Sequence, residues 1–154
     1  MKECFEKLVD WQLMGLCIER EAGGEPYEGR IAVGTVILER VDHRNWDGKT
    51  IKEVILKPWQ FSWTMEEAGE DYYEESVQIA SHWVDEFKKH KALQECCQIA
   101  TKMLAHETPR DPDLAAVNCC QYMNPKTAQP GQKEKLLKAG MKVIKTIGRH
   151  EFFA

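Results

Sequence analysis

Apolar residues recur at steps of three and four over most of the chain, which is the spacing of amphipathic helices. This pattern predicts four long helices, from about Phe5 to Arg20, Tyr27 to Val41, Tyr73 to Lys89 and Ala92 to His106. Thr50 can cap a further short helix from Ile51 to Leu56. The helix that begins at Tyr27 is apolar around most of its circumference, so we expect it at the centre of the core, with Gly34 allowing another element to approach closely.

The pattern changes after Pro112, where the apolar residues form two short segments, AAVNCCQYMNP and KVIKTIGRHEFF, separated by a polar stretch around Gln129 to Lys138. Apolar and polar residues alternate from Val143 to Ile147 before a glycine, as in a small pair of strands. A polar loop is expected from His43 to Gly48, and a mixed acidic loop after Trp63. The chain is therefore predicted to be α+β, mainly helical, with a small β-sheet near its end.

Length and composition are those of a folded globular protein with one core. The 154 residues fit a single domain over residues 1–154, with 43% hydrophobic and 30% charged residues. The formal net charge is -4, and the scattered Lys and Arg residues form no basic stripe, so nucleic acid is not an expected partner. No apolar run has the length of a signal peptide or a membrane span, so we expect no membrane insertion and a cytoplasmic location as synthesised.

The six cysteines do not have the spacing of zinc ligands, because Cys96-Cys97 and Cys119-Cys120 are adjacent pairs and no C-x-x-C occurs. The five histidines do not cluster along the sequence. Neighbouring residues on a helix point about 100° apart, so at most one cysteine of each pair is expected to face the core. We therefore expect buried or surface thiols rather than a disulfide, and neither a metal nor another cofactor.

The end of the first predicted helix is unusually acidic. Glu19, Glu21, Glu25 and Glu28 surround Gly23-Gly24 and a proline. A carboxyl group at a helix end, beside glycines that let a ligand approach the backbone and near apolar groups, can be kept protonated by desolvation. Such a group can protonate the leaving oxygen of a glycosidic bond. The same residues also fit a solvated loop whose carboxylates favour the start of the next helix.

The aromatic segment from Trp59 to Trp63, WQFSW, has two interpretations. It can anchor the core, or it can form a wall on which sugars stack, with Gln60 and Ser62 as hydrogen-bonding groups. The spacing alone leaves both open.

Several segments together resemble one known family. EAGGEPYEGRIAVGTVILERV is similar to the pattern E-A-R-G-E-P-x-x-G-Q-x-A-V-x-x-V-x-L-N-R-V of the cell wall hydrolases of the spore-cortex-lytic SleB/CwlJ type, a family also found in phages. QFSW resembles the second motif of that family, DPDLAAVNCCQYMNP a later segment, and IGRHEFF its closing strand. These segments keep the family order from about Leu13 to Phe153.

The resemblance implies a peptidoglycan-cleaving glycosidase or lytic transglycosylase with a lysozyme-like fold. The catalytic acid of the family falls on Glu21. The positions expected to bind the glycan or support the acid are Gln60, Ser62, Trp63, Tyr122 and Asn124. Asn124-Pro125 also fits an ordinary turn, Tyr122 also fits packing, and His150, in the closing motif, also fits a role in fixing a strand.

The chain departs from the family pattern at several positions. Gly23 replaces an Arg, Arg20 stands where His is common, and Glu39 replaces an Asn. The segment before Tyr122 is lengthened and carries Cys119, Cys120 and Gln121. These changes bear on substrate contacts more than on chemistry, and Arg20 is a candidate to replace the lost Arg.

The mechanism that the resemblance implies needs one carboxyl group. Glu21 protonates the oxygen between N-acetylmuramic acid and N-acetylglucosamine, and its carboxylate then takes the proton of the muramoyl C6 hydroxyl, which closes to a 1,6-anhydro sugar. A hydrolytic route needs a second carboxylate, for which the candidates are Glu25, Glu28 and Glu39. A non-catalytic glycan-binding or virion domain on the same scaffold is the alternative of a different class. We expect an endolysin-like role in phage lysis, with release that depends on a holin.

Overall fold

The protein is described from a computed structural model that covers residues 3–43, 46, 48–69 and 72–154. The predicted loops from His43 to Gly48 and after Trp63 fall partly outside this description, at residues 44, 45, 47, 70 and 71. The α-helices, in chain order, are α1 (Glu3–Glu6), α2 (Asp10–Ala22), α3 (Tyr27–Asp42), α4 (Ile51–Ile55), α5 (Tyr72–Ser81), α6 (Trp83–Lys89), α7 (Lys91–Leu104), α8 (Pro112–Ala116) and α9 (Gln132–Lys138). The strands are β1 (Gln121–Met123), β2 (Val143–Ile147) and β3 (His150–Phe153), and short 3₁₀ turns cover Ser62–Thr64 and Glu66–Ala68.

Helix α3 lies in the core, as its apolar sequence predicts. Nearly every residue from its second turn onward is buried, including the polar residues Thr35, Glu39 and Arg40. A methyl group added to Gly34 would lie 2.7 Å from Met103 Sδ, so the close approach expected at this glycine is made by α7. Thr50 caps α4 as predicted, because its side-chain oxygen accepts the Glu53 N–H at 3.1 Å.

Two of the predicted long helices are each divided in two. The first breaks before α2, where the Val9 N–H binds the Gln12 side chain at 2.9 Å instead of continuing the helix. Phe5 in α1 and Leu8 within the break are nevertheless buried, so the apolar spacing runs through it. The other divides between α5 and α6 at His82, and the Trp83 ring then packs edge-on against Trp11 of α2 at 6.0 Å.

The expectation that only one cysteine of each pair faces the core is wrong for Cys96 and Cys97, which are both buried. Helix α7 is covered on two sides: a methyl group added to Gly15 of α2 would lie 2.7 Å from the Cys97 Cα, and one added to Gly34 of α3 would lie 2.7 Å from Met103 Sδ. Burial raises the pKa of both thiols to about 12. All six cysteines are free thiols, as expected.

The sheet has three antiparallel strands in the order β1-β3-β2. The predicted pair β2 and β3 is confirmed, and β1 joins its other side with Tyr122 opposite Phe152. Helix α9 was not predicted, because the stretch from Gln129 to Lys138 has too few apolar residues for a helical stripe. It buries no residue and is tied to β3 by the ion pair of Lys133 with Glu151 at 2.8 Å.

The α+β, mainly helical fold with a small sheet is therefore confirmed. None of the helices within the described ranges is long and apolar enough to cross a membrane.

Candidate active site

An open cleft of ≈ 640 Å³ lies between the end of α2, the segment after α4, the start of α5 and the sheet. The structure brings all six sequence-predicted site residues to its walls: Glu21, Gln60, Ser62, Trp63, Tyr122 and Asn124. The walls also include Glu25, Arg149 and His150. These residues come from both ends of the chain, so the cleft exists only in the folded domain.

Glu21 lies in the last turn of α2, is half-buried, and accepts a hydrogen bond from the Tyr122 hydroxyl, whose oxygen lies 3.0 Å from Glu21 Oε2. The Tyr122 ring is held between the rings of His150 and Phe152, at 5.3 and 5.6 Å between centroids. Burial, and then the nearby charge of Glu21, raise the pKa of Tyr122 well above its usual value. Tyr122 therefore remains a neutral donor to Glu21 through the neutral pH range.

On the interior side, Glu21 lies near Cys17, on which the charge of the buried Arg40 also acts. Cys17 lies one helical turn earlier, is fully buried, and has its pKa raised well above the usual value, first by burial and then by the charge of Glu21. A neutral thiol and a neutral phenol therefore flank the carboxyl group.

Glu25 lines the same cleft but has a different environment. Both of its oxygens are occupied by Arg149: Nε lies 2.9 Å from Oε1, and the backbone N–H donates to Oε2 at 3.3 Å. Burial opposes ionisation of Glu25, but these hydrogen bonds and the charges of His150 and Arg149 outweigh it and lower the pKa of Glu25. Burial also lowers the pKa of His150, so the imidazole is neutral at neutral pH.

The other two carboxylates considered for a hydrolytic route do not line the cleft. Glu28 is exposed in the first turn of α3. Glu39 is buried and accepts hydrogen bonds from Arg110 and from Asn118 Nδ2, the latter at 3.1 Å. Glu39 therefore anchors the segment that leads to β1.

The aromatic segment contributes to both the core and the cleft wall. Trp63 is 3% exposed and packs edge-on against Phe5 at 5.5 Å between ring centroids, so it is a core anchor with one edge on the cleft. Gln60 and Ser62 are half-buried and line the cleft. Trp59 also lines the cleft but is 66% exposed, with a backbone φ of 65°.

Asn124 combines a turn with a place on the cleft wall. Its side-chain oxygen accepts the Lys126 N–H at 3.0 Å, and its backbone carbonyl accepts those of Thr127 and Ala128. The turn interpretation of Asn124-Pro125 therefore describes its observed hydrogen bonds.

Arg20 lies on the cleft wall, but it is bound to acidic side chains of its own. Its side chain is 6% exposed and donates to Glu19 at 2.6 Å and to Glu75 at 3.0 Å, while its guanidinium lies over the ring of Tyr72 at 5.2 Å. Its described hydrogen bonds therefore brace α2 against α5. Arg40, another cleft residue, is buried and donates to the Cys120 carbonyl at 2.9 Å, which fixes the lengthened segment before Tyr122.

Comparison with known proteins shows which family the chain belongs to. Residues 24–153 match the Cell Wall Hydrolase family. The chain belongs to this family. The curated spore cortex-lytic enzyme of Oceanobacillus iheyensis is 43% identical over 53 residues, which are 34% of this chain and 19% of that protein. The chain thus spans about a fifth of the length of this curated relative.

Two solved structures have a similar fold. The catalytic domain of the germination-specific lytic transglycosylase SleB from Bacillus anthracis matches with a TM-score of 0.62 and 23% identity, covering 100% of this chain and 97% of that one. The catalytic domain of the Bacillus cereus SleB protein matches with a TM-score of 0.54 and 28% identity, covering 94% and 89%.

In this member of the Cell Wall Hydrolase family, Tyr72 and Arg149 also line the cleft, although the sequence did not predict them there. Tyr72 begins an ordinary amphipathic helix, and Arg149 lies in the closing motif IGRHEFF, where the sequence drew attention to His150 instead. Only their position against Glu21 and Glu25 in the folded chain indicates a role. Among the residues that the structure describes, no three His, Cys, Asp or Glu side chains are placed to hold a metal ion.

Proposed function

We propose that the protein is a lytic transglycosylase that cleaves the bond between N-acetylmuramic acid and N-acetylglucosamine in peptidoglycan, with Glu21 as its one catalytic acid and base. The observation that carries the proposal is the position of Glu21: it lies on the wall of the cleft, over the buried Cys17, and is held by the Tyr122 hydroxyl at 3.0 Å. Membership in the Cell Wall Hydrolase family supports the substrate class.

The reaction needs two proton transfers at Glu21. The protonated carboxyl group donates to the glycosidic oxygen, the bond to the muramoyl C1 breaks, and the glucosamine chain leaves with a new hydroxyl group. The Glu21 carboxylate then removes the proton of the muramoyl C6 hydroxyl, whose oxygen bonds to C1. The product is a 1,6-anhydromuramoyl end, water is not consumed, and Glu21 is protonated again. The Tyr122 hydroxyl holds the carboxyl orientation during both transfers.

The state of Glu25 supports a single-carboxylate mechanism. A retaining hydrolase needs its second carboxylate about 5 Å from the first to attack the sugar, and an inverting one needs it free to activate water. Glu25 is 5% exposed at its side chain, and Arg149 occupies both of its oxygens. It is therefore committed to an ion pair.

The cleft also has groups suited to a glycan. Trp59 and Tyr72 are exposed aromatic side chains on its walls, 66% and 56% accessible, and aromatic faces stack on the apolar faces of sugar rings. Gln60, Ser62 and Asn124 provide amide and hydroxyl groups along the same cleft. A polar cleft with exposed aromatic rings is more suitable for a sugar polymer than for an apolar ligand.

The test is product analysis on isolated peptidoglycan with the protein, Glu21→Gln and the exposed control Glu28→Gln. We expect the parent and Glu28→Gln to release 1,6-anhydromuropeptides, identified by mass, and Glu21→Gln to release none. Anhydro products from Glu21→Gln would eliminate Glu21 as the acid. Binding of glycan without any release by the parent would show a non-catalytic binding domain.

Hydrolysis with Glu25 as the second carboxylate is the alternative that one observation favours, because Glu25 is ionised and lies on the same cleft. Hydrolysis would add one water to each broken bond and leave reducing ends. The variant Glu25→Gln distinguishes the routes: the transglycosylase retains anhydro products, whereas a hydrolase that uses Glu25 loses its activity.

We further propose an endolysin-like role, with lysis of a bacterial host from within once a holin opens the membrane. The support is the resemblance to a family that also occurs in phages. Expression in a bacterium whose wall the protein digests in vitro should cause lysis only after a holin or chloroform permeabilises the membrane. Lysis that begins without either treatment would contradict the holin dependence.

A further inference from the structure

Arg149 lies at the edge of the cleft, in the turn between β2 and β3. Its side chain is 62% exposed, whereas those of the two other arginines on the described walls of the cleft, Arg20 and Arg40, are nearly buried and already engaged. Arg149 is therefore the cleft arginine best placed to meet a ligand.

The backbone and the side chain of Arg149 are both fixed. Its backbone N–H and its Nε bind the two oxygens of the buried Glu25. Gly148 allows this contact, because its φ is 56° and a methyl group added there would collide with Glu25 Oε2. The guanidinium also lies over Gly24, where an added methyl group would be 3.0 Å from Nη2. Two glycines and a buried carboxylate thus hold the cation in one place.

The outer edge of the Arg149 guanidinium remains available. Its Nη1 and Nη2 atoms make no hydrogen bond within residues 3–43, 46, 48–69 and 72–154. A guanidinium is planar and can bind one carboxylate through Nε and a second through its terminal nitrogens. Because Glu25 occupies the Nε side, the terminal nitrogens can bind an anion from the ligand.

A side recess of ≈ 270 Å³ gives that anion a place beside the proposed acid. Its walls include Glu21, Arg149 and the side-chain-free Gly23 and Gly24. Glu19, which also lines the recess, lies 2.6 Å from Arg20, which it shares with Glu75, and Glu25 is paired with Arg149. A carboxylate in this recess would therefore meet the open edge of Arg149, while Glu19 and Glu25 each already have an arginine partner.

We propose that Arg149 binds the carboxylate of a muramoyl substituent and thereby selects the substrate. This inference rests on the proposed function. The carboxylate belongs either to a free lactyl group or to a stem peptide, and both are absent from a muramic lactam and from N-acetylglucosamine polymers. The protein should therefore favour ordinary muramoyl glycan over lactam-containing glycan.

The test measures binding without turnover, in the Glu21→Gln background, by titration calorimetry. The ligands are four matched tetrasaccharides: alternating glycan with free lactyl groups, the same glycan with lactyl methylamides, the same glycan with stem peptides, and an N-acetylglucosamine tetramer. We expect the neutral methylamide to bind on the order of tenfold more weakly than one of the two charged glycans. The charged glycan that binds more tightly identifies the source of the carboxylate.

Substitution of Arg149 should remove this preference. We expect Arg149→Gln to lower the affinity for the charged glycan to that of the methylamide and to leave the methylamide affinity unchanged. Arg149→Lys should retain part of the preference, because it keeps the charge but not the planar fork. The control Lys91→Gln removes an exposed cation on α7 and should change neither affinity.

The variant Arg149→Gln leaves Glu25 unpaired, so the double variant Glu25→Gln with Arg149→Gln is measured as well and should show the same loss of preference. Equal weakening of charged and neutral ligands in both variants would overturn the inference, as would equal binding of both ligands by the Glu21→Gln protein that retains Arg149. A protein that binds the charged glycan selectively but cleaves nothing would contradict the proposed function alone. Cleavage without charge selectivity would contradict this inference alone.

Discussion

The hydrogen bond from the Tyr122 hydroxyl to Glu21 can be tested by a kinetic measurement. Tyr122→Phe removes the hydroxyl that donates to Glu21 Oε2 at 3.0 Å and keeps the ring that packs between His150 and Phe152. A hydrogen bond to a charged group contributes about 1.5–3 kcal/mol, so kcat/KM on peptidoglycan should fall by roughly ten- to a hundredfold. Thermal unfolding provides the control, and an unchanged kcat/KM would show that the hydroxyl does not position the acid.

Trp59 combines exposure with backbone strain. Its φ of 65° is unfavourable for a bulky residue and costs about 1–3 kcal/mol, while its ring stays 66% exposed on the cleft. Trp59→Gly should raise the free energy of unfolding by about 1 kcal/mol and weaken glycan binding at least about fivefold, because the strain and the stacking surface are lost together. Urea unfolding and glycan titration measure the two effects.

The matched control for Trp59 is Trp59→Phe, which keeps an aromatic ring and the strained backbone. It should change the free energy of unfolding by less than about 0.5 kcal/mol and retain most of the glycan affinity. If the glycine variant binds glycan as well as the parent, Trp59 is not part of the binding surface.

Site residues could be predicted where one segment carries several chemical signals at once. Glu21 stands beside two glycines in a motif, and Gln60, Ser62 and Trp63 lie within one aromatic segment, so all four appear in the sequence analysis. Arg149 does not, because its partner Glu25 lies 124 residues away and an ion pair of that separation leaves no local pattern. Glu39 was named as a candidate second carboxylate for a related reason, because its partner Arg110 lies 71 residues away and the sequence does not reveal that the pair keeps Glu39 off the cleft.

At the scale of elements, α2 and α7 are packed more closely than ordinary side chains allow. A methyl group added to Gly15 would lie 2.7 Å from the Cys97 Cα, which is backbone and cannot rotate away. We expect Gly15→Ala to lower the free energy of unfolding by about 1–3 kcal/mol through forced separation of the helices. Because α2 carries Glu21, the activity should fall as well.

Gly34→Ala is the matched control for Gly15→Ala. Its added methyl group would meet Met103 Sδ, at 2.7 Å, and two other side-chain atoms, all of which can shift. The gain in helix propensity of about 1 kcal/mol should offset much of that crowding. Urea unfolding of both variants should therefore show the larger loss for Gly15→Ala, and an equal loss would mean that the α2–α7 contact is not limiting.

The helices themselves were predictable because each long one has a continuous apolar stripe. Their interruptions were not, since the break before α2 depends on one side-chain hydrogen bond, from the Val9 N–H to Gln12, and the break at His82 leaves the apolar spacing intact. Helix α9 was missed for the opposite reason: it has regular backbone but buries no residue. Hydrophobic spacing thus reports which surfaces are buried rather than where hydrogen-bonded turns begin and end.

At the scale of the molecule, the polar residues inside α3 connect the core to the cleft. Thr35 Oγ1 accepts the Asp111 N–H at 2.8 Å, and Arg40 donates to the Cys120 carbonyl at 2.9 Å. Both contacts fix the segment that runs from α8 into β1 and delivers Tyr122 to Glu21. Thr35 therefore positions the site from outside the cleft, and Arg40 does so from the cleft wall.

The ion pair of Glu25 with Arg149 joins the segment before α3 to the turn between β2 and β3. It should make the free energy of unfolding depend on pH in acid. The pKa of Glu25 is lowered in the folded protein relative to its ordinary value of 4.5, because the hydrogen bonds of Arg149 outweigh the effect of burial. A carboxylate of this kind stabilises the fold above its unfolded pKa, and the contribution is lost as the pH falls through the folded pKa. The wild-type free energy of unfolding should therefore fall as the pH drops below about 4.5.

Glu25→Gln removes the titrating group and keeps the shape of the side chain. The variant should be less stable at pH 7, by about 1–3 kcal/mol, and its free energy of unfolding should fall less steeply below pH 4.5. His150, whose pKa is lowered by burial, adds a separate loss below its ordinary value of 6.5, and this loss should be larger in Glu25→Gln because the charge of Glu25 raises the pKa of His150. Urea unfolding from pH 3 to pH 8 measures these slopes, with the exposed Glu28→Gln as the control that should follow the wild type. Parallel curves for Glu25→Gln and wild type below pH 4.5 would mean that the Arg149 pair contributes nothing to acid stability.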